Sequence, residues 1–196
     1  MKVIGLTGSF GTGKTFVASV FRSLGARVLD ADRIARDCLK KGRPAYSKAV
    51  RAFGDQILGS RGTIARSRLA AIVFADRKAL TKLERIVHPE VIGVIKKNIQ
   101  KSRPADVIVI DAPLLVEAKA LGLVDKLVVV KCSKKRQIER CVRKHRIKKE
   151  EVLKRVANQM SLKKKIRMAD FVIDSDRSKS RTRSQAERVW EEIVWR

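Results

Sequence analysis

The stretch Gly8-Ser9-Phe10-Gly11-Thr12-Gly13-Lys14-Thr15 follows the apolar run Lys2 to Leu6 and leads into an amphipathic segment, Lys14 to Leu24, closed by Gly25. Its spacing is GxxxxGK[ST], and a strand, a glycine-rich turn and a helix in that order are the context in which this spacing cradles phosphate. The glycines let main-chain N–H groups turn inward around phosphate oxygens, and the positive end of the following helix adds to the attraction. Lys14 is suited to bridging β- and γ-phosphates and Thr15 to ligating a magnesium ion, while the N–H groups of Thr15 and Phe16 reach the α-phosphate side. Gly8, Gly11, Thr12, Gly13, Lys14, Thr15 and Phe16 are therefore the candidate binding set for ATP with Mg2+.

Four more short apolar runs lie at Arg27 to Leu29, Val107 to Ile110, Leu127 to Val130 and Phe171 to Ile173. Rich in Val and Ile and apolar on both faces, they read together with Lys2 to Leu6 as buried strands. Helical periodicity fills the spaces between them: Arg33 to Lys40, Pro44 to Phe53, Ala65 to Phe74, Arg77 to Val87, Glu90 to Gln100, Leu114 to Leu121, Lys134 to Lys144, Lys149 to Met160 and Arg183 to Trp195. Strands alternating with helices predict an α/β fold in three layers, a parallel sheet covered on both sides. No repeat or low-complexity linker breaks the chain, so residues 1–196 read as a single domain. The almost wholly helical stretch of about 33–104, between the second and third strands, is the natural place for a substrate-binding insert. In such sheets ligands collect at the carboxyl ends of the strands, which promotes Gly8, Asp30, Asp32, Asp111 and Asp174 as site residues.

The composition sets the class of partner. Lys and Arg number 46 against 20 Asp and Glu, a formal net charge of +26 that attracts polyanions such as nucleotides, nucleic acid or anionic membrane. The 66 residues from Lys131 to Arg196 carry 22 basic and 9 acidic side chains, half of the surplus in a third of the chain. Three cysteines without a CxxC and two distant histidines argue against a zinc site or a disulfide framework. The longest apolar stretch, Val107 to Val116, is broken by Asp111 and Pro113 and is too short to span a bilayer, and the N-terminus does not read as a signal peptide. The expected setting is cytoplasmic, with no membrane association.

Two further features carry chemistry. Asp30-Ala31-Asp32 directly follows the second strand, where a carboxylate can orient an acceptor hydroxyl and take its proton during phosphoryl transfer. An aspartate at a helix start serves equally well as an N-cap, and the residues alone do not choose between these roles or between Asp30 and Asp32. After the fourth strand, Gln137, Arg140 and Lys144 share a helix face, with Arg143 adjacent. Cations on neighbouring turns suit the charge that develops on a transferring phosphoryl group, although a solvated basic face has the same pattern.

These pieces together resemble the dephospho-coenzyme A kinases over nearly all of the chain. The resemblance is carried by IGLTGSFGTGKT at Ile4 to Thr15, LDADRIAR at Leu29 to Arg36, VHPEV at Val87 to Val91 and DAPLLVEA at Asp111 to Ala118. Gln137, Arg140, Gln159 and ADFVID at Ala169 to Asp174 complete it. It implies a P-loop kinase fold with strand order 2-3-1-4-5, a helical acceptor-binding insert and a helical lid of about 134–168. The reaction it implies is transfer of the ATP γ-phosphate to the ribose 3′-hydroxyl of dephospho-coenzyme A, the last step of coenzyme A synthesis. By residue-level matching the catalytic aspartate falls on Asp32 and the lid arginine on Arg140, with Lys14 the third catalytic group. Arg36, His88, Pro113, Leu114, Leu115 and Glu117 fall with Asp32 on the acceptor side.

The chain departs from the family pattern at three places. Lys144-His145, with Arg143 just before, stands where the family has Arg-Asp, leaving Arg143 or Lys144 as the second lid cation. Asp174-Ser175-Asp176-Arg177 replaces Asn-x-Gly in the turn near the adenine, and Ser9-Phe10 replaces Gly-Ile. The expected partners are ATP and dephospho-coenzyme A, without specific nucleic acid, and the expected state is a monomer or weak oligomer. The competing readings are a P-loop kinase for a nucleoside monophosphate or shikimate and, from another class, a basic nucleic-acid-binding ATPase.

Overall fold

A computed structural model describes residues 1–145 and 147–195 of the chain. The five expected strands form one parallel sheet in the order β2-β3-β1-β4-β5: β1 Lys2–Gly8, β2 Arg27–Asp30, β3 Val107–Asp111, β4 Lys126–Lys131 and β5 Phe171–Asp174. Register aligns Leu6 with Asp111, Asp30 with Asp111, Gly8 with Val130 and Lys131 with Asp174, so of the promoted residues Gly8, Asp30, Asp111 and Asp174 finish their strands at the carboxyl end of the sheet, whereas Asp32 lies in the helix that follows β2. Ile4, Leu6, Val109, Val128, Val130 and Ile173 face α1 (Lys14–Ser23) and the C-terminal helix of Lys179–Trp195, meeting Val17, Phe21, Trp190 and Ile193. Buried residues on both faces of β1, β3 and β4 explain why these runs are continuously apolar rather than alternating.

The chain divides into two compact units, Met1–Asp30 with Lys101–Arg196, and Ala31–Gln100. The second holds α2 (Ala31–Cys38), α3 (Pro44–Phe53), α4 (Arg66–Ala75) and α5 (Arg77–Gln100) around Ala49, Phe53, Ile57, Leu69 and Val73. The break expected between Val87 and Glu90 is absent, because α5 runs unbroken through Pro89. Proline removes one helical N–H, but Val87, Val91 and Ile95 bury one face across it and hold the two halves in line.

Beyond β3 the helix expected over Leu114 to Leu121 is replaced by hydrogen-bonded turns and a short 3-10 turn at Leu121–Leu123. Leu115, Val116 and Ala120 are buried, so the apolar spacing reflects burial, while Lys119 at φ 54 ends any helical course. The remaining helices are α6 (Lys134–His145), α7 (Lys149–Ala157), the short α8 (Leu162–Arg167), which periodicity did not predict, and α9 (Lys179–Trp195), which begins four residues before its expected start at Arg183. Among the described residues no helix is long and apolar enough to cross a membrane.

Carboxylates secure the sheet at the end opposite the glycine turn. Asp125 Oδ2 accepts from Val3 N at 2.7 Å, and Asp170 Oδ2 from Leu127 N at 2.7 Å, with Lys126 Nζ 3.2 Å from its other oxygen. The Leu127 N–H, assisted by Lys126, holds the Asp170 carboxyl below its ordinary range. A depressed folded pKa means stabilisation that is present above the ordinary carboxylate pKa and lost as pH falls through the folded value. The Asp170 side chain is 38% exposed and solvent screens the pair, so Asp170→Asn is expected to lose only about 0.5 kcal/mol at pH 7. Denaturant titrations of variant and parent should converge below about pH 3; an equal gap at both pH values would refute the ionic contribution.

Candidate active site

The glycine turn is built by its own hydrogen bonds. Thr12 is buried and donates Oγ1–H to the Ser9 carbonyl at 2.9 Å, and Thr12 N donates to the same oxygen at 3.2 Å. Gly11 and Gly13 adopt φ +82 and +87, the left-handed region that costs glycine least. A Cβ at Gly11 would also lie 2.5 Å from Cys141 Sγ, so α6 rests directly on the turn.

Lys14 opens α1, and its ammonium forms an ion pair with Asp111, the last residue of β3. Both side chains are largely buried, 13% and 9% exposed, so the two charges face each other with little water between them. Thr15, one residue on, is exposed. Among the described residues no group of three or more His, Cys, Asp or Glu could hold a metal by itself. The Thr15 hydroxyl and the Asp111 carboxylate are nevertheless hard oxygen donors, the kind that bind magnesium alongside phosphate oxygens and water.

Helix α6 supplies the third element. Gln137 is 5% exposed and donates Nε2–H to the Phe10 carbonyl at 3.2 Å, while Phe10 N donates to Gln159 Oε1 at 2.9 Å. Arg140 donates from Nη1 to Ser175 Oγ at 2.9 Å and from Nη2 to the Ser175 carbonyl. Ser175 Oγ donates in turn to the Thr12 carbonyl, which links the guanidinium to the turn through one buried hydroxyl. A Cβ at Gly13 would lie 3.3 Å from Arg140 Nη1, so the cation borders the turn itself. Cys132 Sγ lies 3.9 Å from the Gly11 carbonyl, and burial pushes its thiol up to about 11, which keeps it protonated and unreactive.

The structure thus brings Lys14, Thr12, Gly11, Gly13, Gln137 and Arg140 together with Asp111, promoted by its place at a strand end, and Gln159 of the family pattern, and adds Ser175. Arg143 is exposed on α6, and the Lys144 side chain lies outside the described residues. Leu115 is a core residue beside Gly5; Pro113, Leu114 and Glu117 are half-buried in the same turns. Asp32 and Arg36 belong to the other unit, exposed on α2, and half-buried His88 lies in α5 just before Pro89. Asp32 is in the first turn of α2 rather than at its cap position, since the helix starts at Ala31.

Arg140's partner Ser175 sits in the altered turn after β5, a role that no spacing pattern announces. Beyond that turn a polar cavity of about 560 Å3 is lined by Asp174, Asp176, Arg177, Arg181 and Arg188.

Comparison with known proteins extends this geometry. The family model described as dephospho-CoA kinase matches residues 2–180. A protein of Carboxydothermus hydrogenoformans named dephospho-CoA kinase is 41% identical over 100% of this chain and 96% of its own. The crystal structure of TT1252 from Thermus thermophilus superposes with a TM-score of 0.85 at 30% identity, covering 98% of this chain and 97% of that one. Dephospho-CoA kinase from Campylobacter jejuni has a TM-score of 0.73 at 26% identity, covering 100% and 98%.

Proposed function

The chain belongs to the dephospho-CoA kinase family, and we propose that its phosphoryl transfer is carried out by Lys14, Arg140 and Asp32, with Mg2+ held at Thr15 and Asp111. The enzyme transfers a phosphoryl group from ATP to dephospho-CoA, the last step of coenzyme A biosynthesis. The observation that carries the proposed roles is the buried Lys14–Asp111 pair beside a glycine turn that Arg140 borders through Ser175.

ATP lays its phosphates along the N–H groups of Gly11 to Phe16, where the α1 terminus and Lys14 meet their charge. Magnesium, when bound, neutralises part of the triphosphate charge. Thr15 and Asp111 would offer oxygens to hold it there. Arg140 faces the charge that develops on the transferring group, and a fixed cation at a site that excludes water acts more strongly than one in solvent. Arg143 or Lys144 supplies the second cation of the lid, about 134–168. Asp32 orients the 3′-hydroxyl and accepts its proton. Arg36, His88, Pro113, Leu114, Leu115 and Glu117 shape the acceptor side, His88 by packing rather than by proton transfer. The helical insert of about 33–104 is the acceptor-binding part of a single kinase domain, which acts in the cytoplasm as a monomer or weak oligomer and without a specific nucleic-acid partner.

ADP release from magnesium-ATP tests these roles with dephospho-CoA, nucleoside monophosphates and shikimate as acceptors. Dephospho-CoA should be the productive acceptor. Arg140→Ala is expected to lower turnover about 30-fold or more, roughly 2 kcal/mol of transition-state stabilisation. Arg181→Ala and Arg183→Ala, at exposed positions of α9, should leave it within a factor of about 2. Small, similar effects at all three would mean that the basic charge serves solubility or a polyanionic partner instead.

A further inference from the structure

Lys163-Lys164-Lys165 reads as a solvated basic run, yet the third lysine is fully buried, at 0% exposure. Its Nζ lies 2.8 Å from Glu117 Oε1 and donates to the Pro113 carbonyl. Thr7 Oγ1 donates to that same carbonyl at 3.1 Å. Pro113 stands two residues beyond Asp111, the partner of Lys14. Nearby, Met160 N donates to Glu117 Oε1 at 2.8 Å, and Gln159 receives Phe10 N from the glycine turn. The stretch 159–165 therefore grips the glycine turn at one end and the segment after β3 at the other.

Stability alone does not account for this lysine. Burial pushes its pKa down, Glu117 opposes that shift, and the positive charge of Lys14 acts in the same direction as burial. Glu117 Oε2 is buried with no hydrogen-bond partner among the described residues, so the pair is not even fully satisfied. A buried ion pair is commonly no more stabilising than apolar side chains of the same volume, and the like charge of Lys14 adds a cost. What an apolar side chain could not do is donate to the Pro113 carbonyl.

We propose that Lys165 is a positioning residue for phosphoryl transfer, which fixes the segment from Asp111 to Glu117 by holding the Pro113 carbonyl and so keeps Asp111 aligned with Lys14. The inference rests on the reading of Lys14 as the phosphate-binding cation. Lys165 touches no reacting atom in this role. It acts through Asp111, and its loss lowers kcat rather than the affinity for ATP.

The test is a double-mutant cycle on the full chain with magnesium-ATP and dephospho-CoA, each variant checked for folding by circular dichroism and thermal unfolding. Lys165→Met keeps the volume and removes the donor, and kcat should fall about 30-fold with KM for ATP within a factor of about 3, the size of effect a small misalignment produces. Lys165→Met can also fail to fold by leaving the Glu117 carboxylate buried and unpaired. It is therefore made again in the Glu117→Gln background, where no such charge remains. There it should still lower kcat about 10-fold relative to Glu117→Gln alone. An unchanged kcat in that background means that Lys165 only neutralises Glu117, and overturns the proposal. Lys14→Ala measured alongside separates the two readings: if it is inactive while Lys165→Met is fully active, only the positioning role fails, and if it is fully active, the phosphate-site reading fails with it.

Discussion

Asp32→Asn is expected to reduce turnover about 1,000-fold, or roughly 4 kcal/mol, while ATP affinity stays within a factor of about 3. The amide keeps the shape of the carboxylate and its ability to accept a hydrogen bond, and loses only the charge and the basicity. Proton acceptance from the acceptor hydroxyl is required only as the phosphoryl group moves, so the loss falls on kcat and leaves nucleotide binding intact. Asp30→Asn should be milder, because Asp30 ends β2 in register with Asp111 and precedes the helix that carries Asp32. Isothermal titration with ATP and steady-state kinetics with dephospho-CoA measure the two quantities separately. Equal losses of ATP affinity and turnover in Asp32→Asn would point to a magnesium or folding role.

The parts of this molecule that were legible in its sequence are those governed by local rules. The inner strands β1, β3 and β4 are visible because both of their faces are buried, which leaves uninterrupted Val and Ile runs such as Val107 to Ile110 and Leu127 to Val130, while the edge strands β2 and β5 expose Arg27 and Val172 and show only as short apolar runs. The glycine turn is visible because phosphate binding fixes residue types at fixed spacing. Strand order came with the family resemblance, since no local rule places β3 beside β1. Long-range placements were opaque. The Arg140–Ser175–Thr12 chain exists only because β5 ends beside the glycine turn, and Ser175 lies in a segment that departs from the family pattern. Lys165 was hidden for the opposite reason: its two lysine neighbours give the run the look of a solvated face, while the helical position turns this one inward. Pro89 misled in another way, because proline is a strong local breaker whose effect was outweighed by apolar packing along α5.

Lys14→Ala is expected to lower turnover at least 100-fold, about 3 kcal/mol of lost transition-state stabilisation, and to weaken ATP binding as well. The magnitude follows from the position of the ammonium: with its side chain 13% exposed, it meets the phosphates where little water screens the interaction. The substitution has a second consequence in the resting protein. Asp111, its side chain 9% exposed, loses its ion-pair partner, and an unpaired buried carboxylate costs about 3–5 kcal/mol of stability. A drop in activity could then be mistaken for a drop in folded protein. Lys14→Ala combined with Asp111→Asn separates the two, since the neutral amide removes the stranded charge. This double variant should regain most of the thermal stability, and it is read for stability alone because Asp111 is also a proposed oxygen donor to Mg2+. The stabilisation that saturating magnesium-ATP gives the parent should also be smaller in both variants, because ligand stabilisation scales with affinity. Full activity per molecule of folded protein in Lys14→Ala would show that Lys14 serves Asp111 and the fold rather than the phosphates.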